Sequence, residues 1–190
     1  IDPMRVILFT VISTLLISPP LRGQEILPNC LPHERKFWTE CKGSYIDDEG
    51  NLYSGEFFNG KKDGVGEFVF NNGIVYEGEF TNDMRHGHGK LRWPDGSYYE
   101  GRYEYDERNG NGTEWRLNRD RYEGQFKNGQ RNGFGELKFF NGDRYIGHFK
   151  NGKMDGKGVY NFSSGDKYEG DFTNDARDGY GVMSFTNGMK

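Results

Sequence analysis

Cysteine is almost absent from this 190-residue chain, which holds only Cys30 and Cys41. A zinc site is therefore not expected, since it needs more Cys or His at ligand spacing and His33 alone does not supply them. Basic residues are also short: 25 Lys and Arg face 29 Asp and Glu, a formal net charge of −4. That balance argues against nucleic acid, whose binding rests on phosphate neutralisation, and against broad adsorption to an anionic membrane surface. Long apolar runs are missing too. The longest, residues 6–17, is largely apolar but only 12 residues long, short of the roughly 20 that a spanning helix needs. No later stretch repeats apolar residues at helical spacing. There is no P-loop, paired-carboxylate motif or cofactor fingerprint, so no cofactor and no enzyme activity are expected.

What the chain has in abundance is glycine, 29 residues in all, and every one but Gly23 falls on five phases of one 23-residue period. Count from Tyr53, Tyr76, Tyr99, Tyr122, Tyr145 and Tyr168. Two residues on stands a glycine each time, from Gly55 to Gly170, and a Gly-x-Gly pair recurs from Gly64/Gly66 to Gly179/Gly181. The twentieth position is Gly73, Gly96, Gly142, Gly165 and Gly188, with Arg119 the exception. Four residues after each tyrosine stands Phe57, Phe80, Tyr103, Phe126, Phe149 or Phe172. Such a period marks a repeat protein whose units cannot bury their apolar face alone.

Tyr, Gly and Phe of Tyr-x-Gly-x-Phe share parity and so point to one face of a strand. The Gly-x-Gly glycines share a face with Phe68 and Phe70, Leu91 and Trp93, Leu137 and Phe139, Tyr160 and Phe162, and Met183 and Phe185. Asn59-Gly60, Asn128-Gly129 and Asn151-Gly152 close hairpins, and turns such as Asn72-Gly73 and Asp95-Gly96 join one hairpin to the next. The expectation is an all-β fold: an elongated, twisted, single-layer antiparallel meander of about 13 strands with an aromatic concave face, on the order of 60 Å long. One curled layer should leave part of that aromatic trough exposed, and exposed apolar surface marks a partner site. The expected partner is a protein or peptide, with a phospholipid headgroup or a glycan as the alternative.

Tyr-x-Gly-x-Phe, a polar turn and Gly-x-Gly together resemble the MORN repeat. The resemblance covers six repeats, 53–75, 76–98, 99–121, 122–144, 145–167 and 168–190, after a half-repeat carrying Cys41, Gly43, Gly50 and Leu52 in the same phase. It implies a module and not an activity.

Before the repeats, residues 1–3 precede Met4 and read as a remnant of expression. Residues 4–23 read as a secretory signal peptide: one positive charge, a short apolar stretch and a small residue at Gly23. Export to the periplasm, cell envelope or secreted space is then expected. In an exported chain Cys30 and Cys41 read as one disulfide, in a segment 24–52 whose Leu27, Leu31, Phe37 and Trp38 are enough to cover a sheet end. Exported bacterial MORN proteins look similar here, with Cys, Trp and Cys-x-Gly leading into the repeats, which favours a structural cap.

The third repeat departs from the pattern. Its turn, Tyr105-Asp106-Glu107-Arg108, lacks glycine, and Glu114 and Arg116 occupy usually apolar phases with Trp115 and Leu117 beside them. A β-bulge that returns Trp115 and Leu117 to the inner face, with Arg119 absorbing the slip, is one reading, and a tolerated irregularity is the other. On the first, Trp93, Tyr99, Tyr103, Trp115 and Tyr122 form the centre of the trough. A basic ladder, Lys61-Lys62, Arg85, Arg108, Arg131, Lys153 and Arg177, is expected along one solvated edge with acidic neighbours. His86-Gly87-His88 places two imidazoles on one side of a strand but lacks further ligands, so no metal is expected. The closing strand, about 181–185, carries no charge or proline, and a tail-to-tail homodimer through it is expected.

Overall fold

The computed structural model describes residues 27–31 and 34–189. The expression remnant and the signal peptide lie outside the described residues. Thirteen antiparallel strands form one open sheet in sequence order. They are β1 (Cys41–Ile46), β2 (Leu52–Phe58), β3 (Lys61–Val69), β4 (Val75–Thr81), β5 (Met84–Arg92), β6 (Tyr98–Glu104) and β7 (Glu107–Trp115). The rest are β8 (Arg121–Lys127), β9 (Gln130–Lys138), β10 (Arg144–Lys150), β11 (Lys153–Asn161), β12 (Lys167–Thr173) and β13 (Ala176–Ser184). The helical element among the described residues is a single 3-10 turn, Arg35–Phe37.

Each repeat contributes a seven-residue strand and a nine-residue strand, and the two differ because of a bulge that the glycines build. In β8 and β9, Gly124 faces Gly135, but Phe126 already faces Arg131. The surplus residues of β9 turn at Gly133, whose φ of +88° suits glycine and strains other residues. The same shift recurs in all six repeats, from Gly55/Phe57 to Gly170/Phe172. The amide left over by the bulge is not orphaned. Glu56, Glu79, Gln125 and Asp171 each accept it from Val65, His88, Phe134 and Tyr180, at 2.7–3.1 Å.

The hairpin turns need positive φ at both central residues. Asn128-Gly129 supplies it in one repeat, and Tyr105-Asp106 adopts the same geometry at +47° and +70° without glycine. Where the repeat-joining turn loses its glycine, Arg119 takes a φ of +67° in place. The third repeat therefore stays in register. Glu114 faces Tyr99 on one side and Tyr122 on the other, while Trp115 faces Tyr98 and Arg121. Of the two readings of this repeat, the register supports the tolerated irregularity and not a bulge that returns Trp115 and Leu117 to the inner face. The repeat's backbone turns absorb the sequence change, so Trp115 stays on the opposite face and Leu117 is two-thirds exposed.

Ahead of the repeats, Cys30 and Cys41 form a disulfide. Cys30 donates its amide to Lys42 O and Lys42 donates to Pro28 O, which lays this segment along the outer edge of β1. Trp38 sets its edge against Phe57 at 4.8 Å between centroids, beside Gly43, where a Cβ would stand 2.8 Å from the indole. Phe37 and Leu31, expected to help cover the sheet end, are instead exposed.

Candidate functional site

One face of the sheet is a continuous ladder of rings. Tyr53, Tyr76, Tyr99, Tyr122 and Tyr145 have no exposed surface, and the phenylalanines between them are nearly as buried. Each tyrosine lies edge-to-face against the aromatic of its own repeat and that of the next. Tyr122, for example, meets Phe126 at 5.2 Å and Phe149 at 4.9 Å. The ring lies over the glycine pair, and its hydroxyl donates to the backbone oxygen three residues on, Tyr122 to Gln125 O at 2.9 Å. Burial in this stack raises the tyrosine hydroxyls, those of Tyr122 and Tyr145 to about 12.

The basic ladder runs only in part along a solvated edge, where Lys61, Lys153 and Arg177 are exposed. In the hairpin register Lys62, Arg85, Arg108, Arg131 and Arg177 each face the aromatic four residues past the tyrosine. Their charges therefore stand over rings: Arg131 lies 4.7 Å from the Tyr122 centroid and Lys62 4.4 Å from that of Phe68. Rings beside, glycine below and cations above cover the centre of the aromatic face. What stays partly open there is a row of half-buried rings, Phe70, Trp93, Phe139 and Phe162. Of the residues expected at the centre of the trough, Tyr99, Tyr103 and Tyr122 are core, Trp93 is half-buried at the rim, and Trp115 lies on the other side of the sheet.

Glu114 is the polar intruder in the ladder. It accepts from Arg131 Nε at 2.9 Å, Arg108 Nη1 at 3.1 Å and Arg116 Nε at 3.2 Å. Burial pushes its carboxyl up, but Arg131, Arg116 and Arg108 together hold it below the usual range. The sequence shows Glu114 out of pattern but not its partners, because Arg131 comes from the next repeat.

The open volume lies on the opposite face. One cavity of about 820 Å³ is lined by His88, Tyr98, Arg121, Phe134 and Ile146 over a floor of Gly101, Gly112, Gly124 and Gly135. A second of about 640 Å³ shares Phe134 and Ile146 and continues over Val159, Tyr180 and Val182. Together they make one trough crossing the strands from β5 to β13. Its far end is apolar and open: Phe134 is 54% exposed and Tyr180 89%. Its carboxylates are already paired, Glu100 with Lys90 and Glu123 with Arg121. Tyr98, on its wall, stacks parallel to Trp115 at 6.5 Å. Among the described residues no three His, Cys, Asp or Glu side chains converge as a metal site would require. His86 instead lies against the Tyr105 ring at 5.1 Å.

No curated protein matches this sequence. Among solved structures, the SAS-4 (dCPAP) TCP domain of Drosophila melanogaster, in complex with a proline-rich motif of Ana2 (dSTIL), is 15% identical, with 90% of this chain and 94% of that one covered and a TM-score of 0.49. The TCP10 domain of Danio rerio CPAP, in complex with a peptide of STIL, is 13% identical, with coverage of 77% and 80% and a TM-score of 0.36. The MORN repeat pattern matches residues 53–75, 76–98, 99–121, 122–144, 145–167 and 168–190. With six consecutive matched repeats accounting for most of its length, the chain belongs to the MORN repeat family.

Proposed function

We propose that this chain is a non-catalytic scaffold that holds an extended protein or peptide segment in the trough opposite the aromatic ladder. The observation that carries this reading is the pair of joined cavities sharing Phe134 and Ile146, on a face left uncovered by the other described residues. Their volumes lie within the range of ligand-binding clefts. The glycine floor lets a partner's main chain come close, and the apolar end from Phe134 to Val182 supplies area to bury. The ladder in this reading is a spine that sets the trough's shape. Residues 24–52 are its N-terminal cap.

An anionic lipid headgroup is disfavoured because most of the basic ladder is turned in over rings. A glycan remains a second reading, supported by the stacked Tyr98 and Trp115 rings at the trough wall. Export to the envelope or secreted space belongs to the proposal, supported by a disulfide of the kind that persists in oxidising compartments. So does tail-to-tail pairing through β13, which carries a mostly exposed face; light scattering that finds a monomer at tens of micromolar removes that part.

Peptide display on the folded protein tests the main claim. Selected peptides are expected to lose binding to Ile146→Arg and to keep it with Met154→Leu, a change on the ladder face. Equal binding to both variants contradicts the reading, and selective retention of glycans on an array favours the second.

A further inference from the structure

We propose a second binding site, on the ladder face, where Arg116, backed by the excess positive charge of the buried Arg108 and Arg131, receives the carboxylate of an acidic partner segment. Three guanidinium groups converge on the single carboxylate of Glu114, each within 3.2 Å of one of its oxygens. Two positive charges stand in excess there. The nearest acid on the same turn, Asp120, is committed elsewhere. Its Oδ1 accepts the Phe140 amide at 2.9 Å and its Oδ2 the Asn118 side chain at 2.7 Å. Arg131 is almost fully buried and Arg108 mostly so, but the Arg116 side chain is 50% exposed. The cluster therefore has a rigid inner part and one arm open to solvent. Planar guanidinium groups already arranged around one carboxylate are preorganised for another.

The surroundings say what the rest of such a ligand looks like. Arg116 opens the repeat-joining turn, its amide donating to Asp120 O, as Trp93 donates to Ser97 O and Phe139 to Asp143 O. Arg116 thus interrupts a row of half-buried rings, Phe70 and Trp93 on one side and Phe139 and Phe162 on the other. Successive rungs are two strands apart, about 10 Å. An extended chain covers that distance in about three residues. The site fits a segment crossing the strands with an acidic residue flanked, about three residues away on each side, by apolar side chains. A buried ion cluster in an otherwise apolar stack is costly to fold around, and a binding role accounts for its presence where packing does not.

The test uses a labelled synthetic peptide with leucines at that spacing on either side of a central glutamate, and the same peptide with glutamine. Fluorescence anisotropy is expected to show the glutamate peptide binding the wild-type protein roughly tenfold tighter, the factor associated with one charge-assisted hydrogen bond. Arg116→Phe, which restores the ring found in other repeats, is expected to abolish the preference while keeping the fold. Arg116→Gln provides the same charge removal if the phenylalanine variant misfolds. The Nε–H resonances of Arg108, Arg116 and Arg131 should shift with the glutamate peptide ahead of those of other arginines. Equal affinity for both peptides, no binding of the glutamate peptide, or a preference that survives loss of Arg116 overturns the proposal.

Discussion

Placing a single methyl group on Gly124 tests whether the glycine pairs exist to make room for tyrosine. Gly124 has no positive φ, so alanine there costs nothing in backbone conformation. A Cβ would nevertheless stand 2.5 Å from the Gly135 Cα and 2.5 Å from the Tyr122 hydroxyl. The first contact is backbone in the next strand and the second is a fully buried ring, so neither moves freely. Overpacking of this kind costs about 1–3 kcal/mol. Displacing the Tyr122 hydroxyl from Gln125 O adds about 1 kcal/mol. Roughly 3 kcal/mol is expected in all. Gly152→Ala is the control: its φ is +84° but nothing lies within 4 Å. Its cost is the left-handed conformation, about 1–2 kcal/mol, partly offset by a stiffer unfolded chain. The difference of roughly 2 kcal/mol corresponds to about 1 M in urea midpoint at a typical slope. Urea unfolding of both variants, followed by tryptophan fluorescence, decides. If Gly124→Ala is no worse than Gly152→Ala, the glycines serve the turns and bulges alone and the account of the ladder fails.

Three further outcomes follow from the same packing. Tyr103 replaces phenylalanine in the ladder and its hydroxyl is buried without a hydrogen-bond partner, so Tyr103→Phe should raise stability by about 1 kcal/mol, and a lower melting temperature would contradict this. Burial raises Tyr103, Tyr122 and Tyr145 to about 12, so the unfolded chain ionises first as pH climbs. Stability should be full below pH about 10 and fall steeply between about 10 and 12, by up to about 1.4 kcal/mol per pH unit per tyrosine, with tyrosinate absorbance appearing together with unfolding. Gradual ionisation of a still-folded sheet is the contrary result. Glu114→Gln leaves the buried Arg131 without its counter-charge and should cost about 3–5 kcal/mol by thermal melting, whereas a change below 1 kcal/mol would mean the cluster is solvated.

The fold was largely legible because its rules are short-range. A period of 23 residues with fixed glycine phases specifies two strands and two turns per repeat, and parity alone puts Tyr122, Gly124 and Phe126 on one face. The bulge at Gly133 was not legible, since Gly-x-Gly looks the same whether both glycines make room or one also reverses the chain. Nor was the placement of Arg131. Its letter sits in a polar turn, and only the shifted register sets it opposite Phe126 and over Tyr122. Repeat phase marked Glu114 and Trp115 as irregular but left a bulge and a tolerated irregularity both open. Positive φ at Tyr105, Asp106 and Arg119 kept the register, and arginines from two repeats neutralised the buried charge. Parity tells which side chains share a face but not which face encloses volume, so the trough at Phe134 and Ile146 emerged only in three dimensions.

The most direct test of the scaffold reading is methyl NMR of the protein bound to a display-selected peptide. Probes exist on both faces: Ile146, Val159 and Val182 line the trough, while Met154 and Met183 belong to the ladder. The account predicts that the trough methyls shift on binding and the ladder methyls hold still. Shifts confined to Met154 and Met183, with Ile146, Val159 and Val182 unmoved, would contradict it.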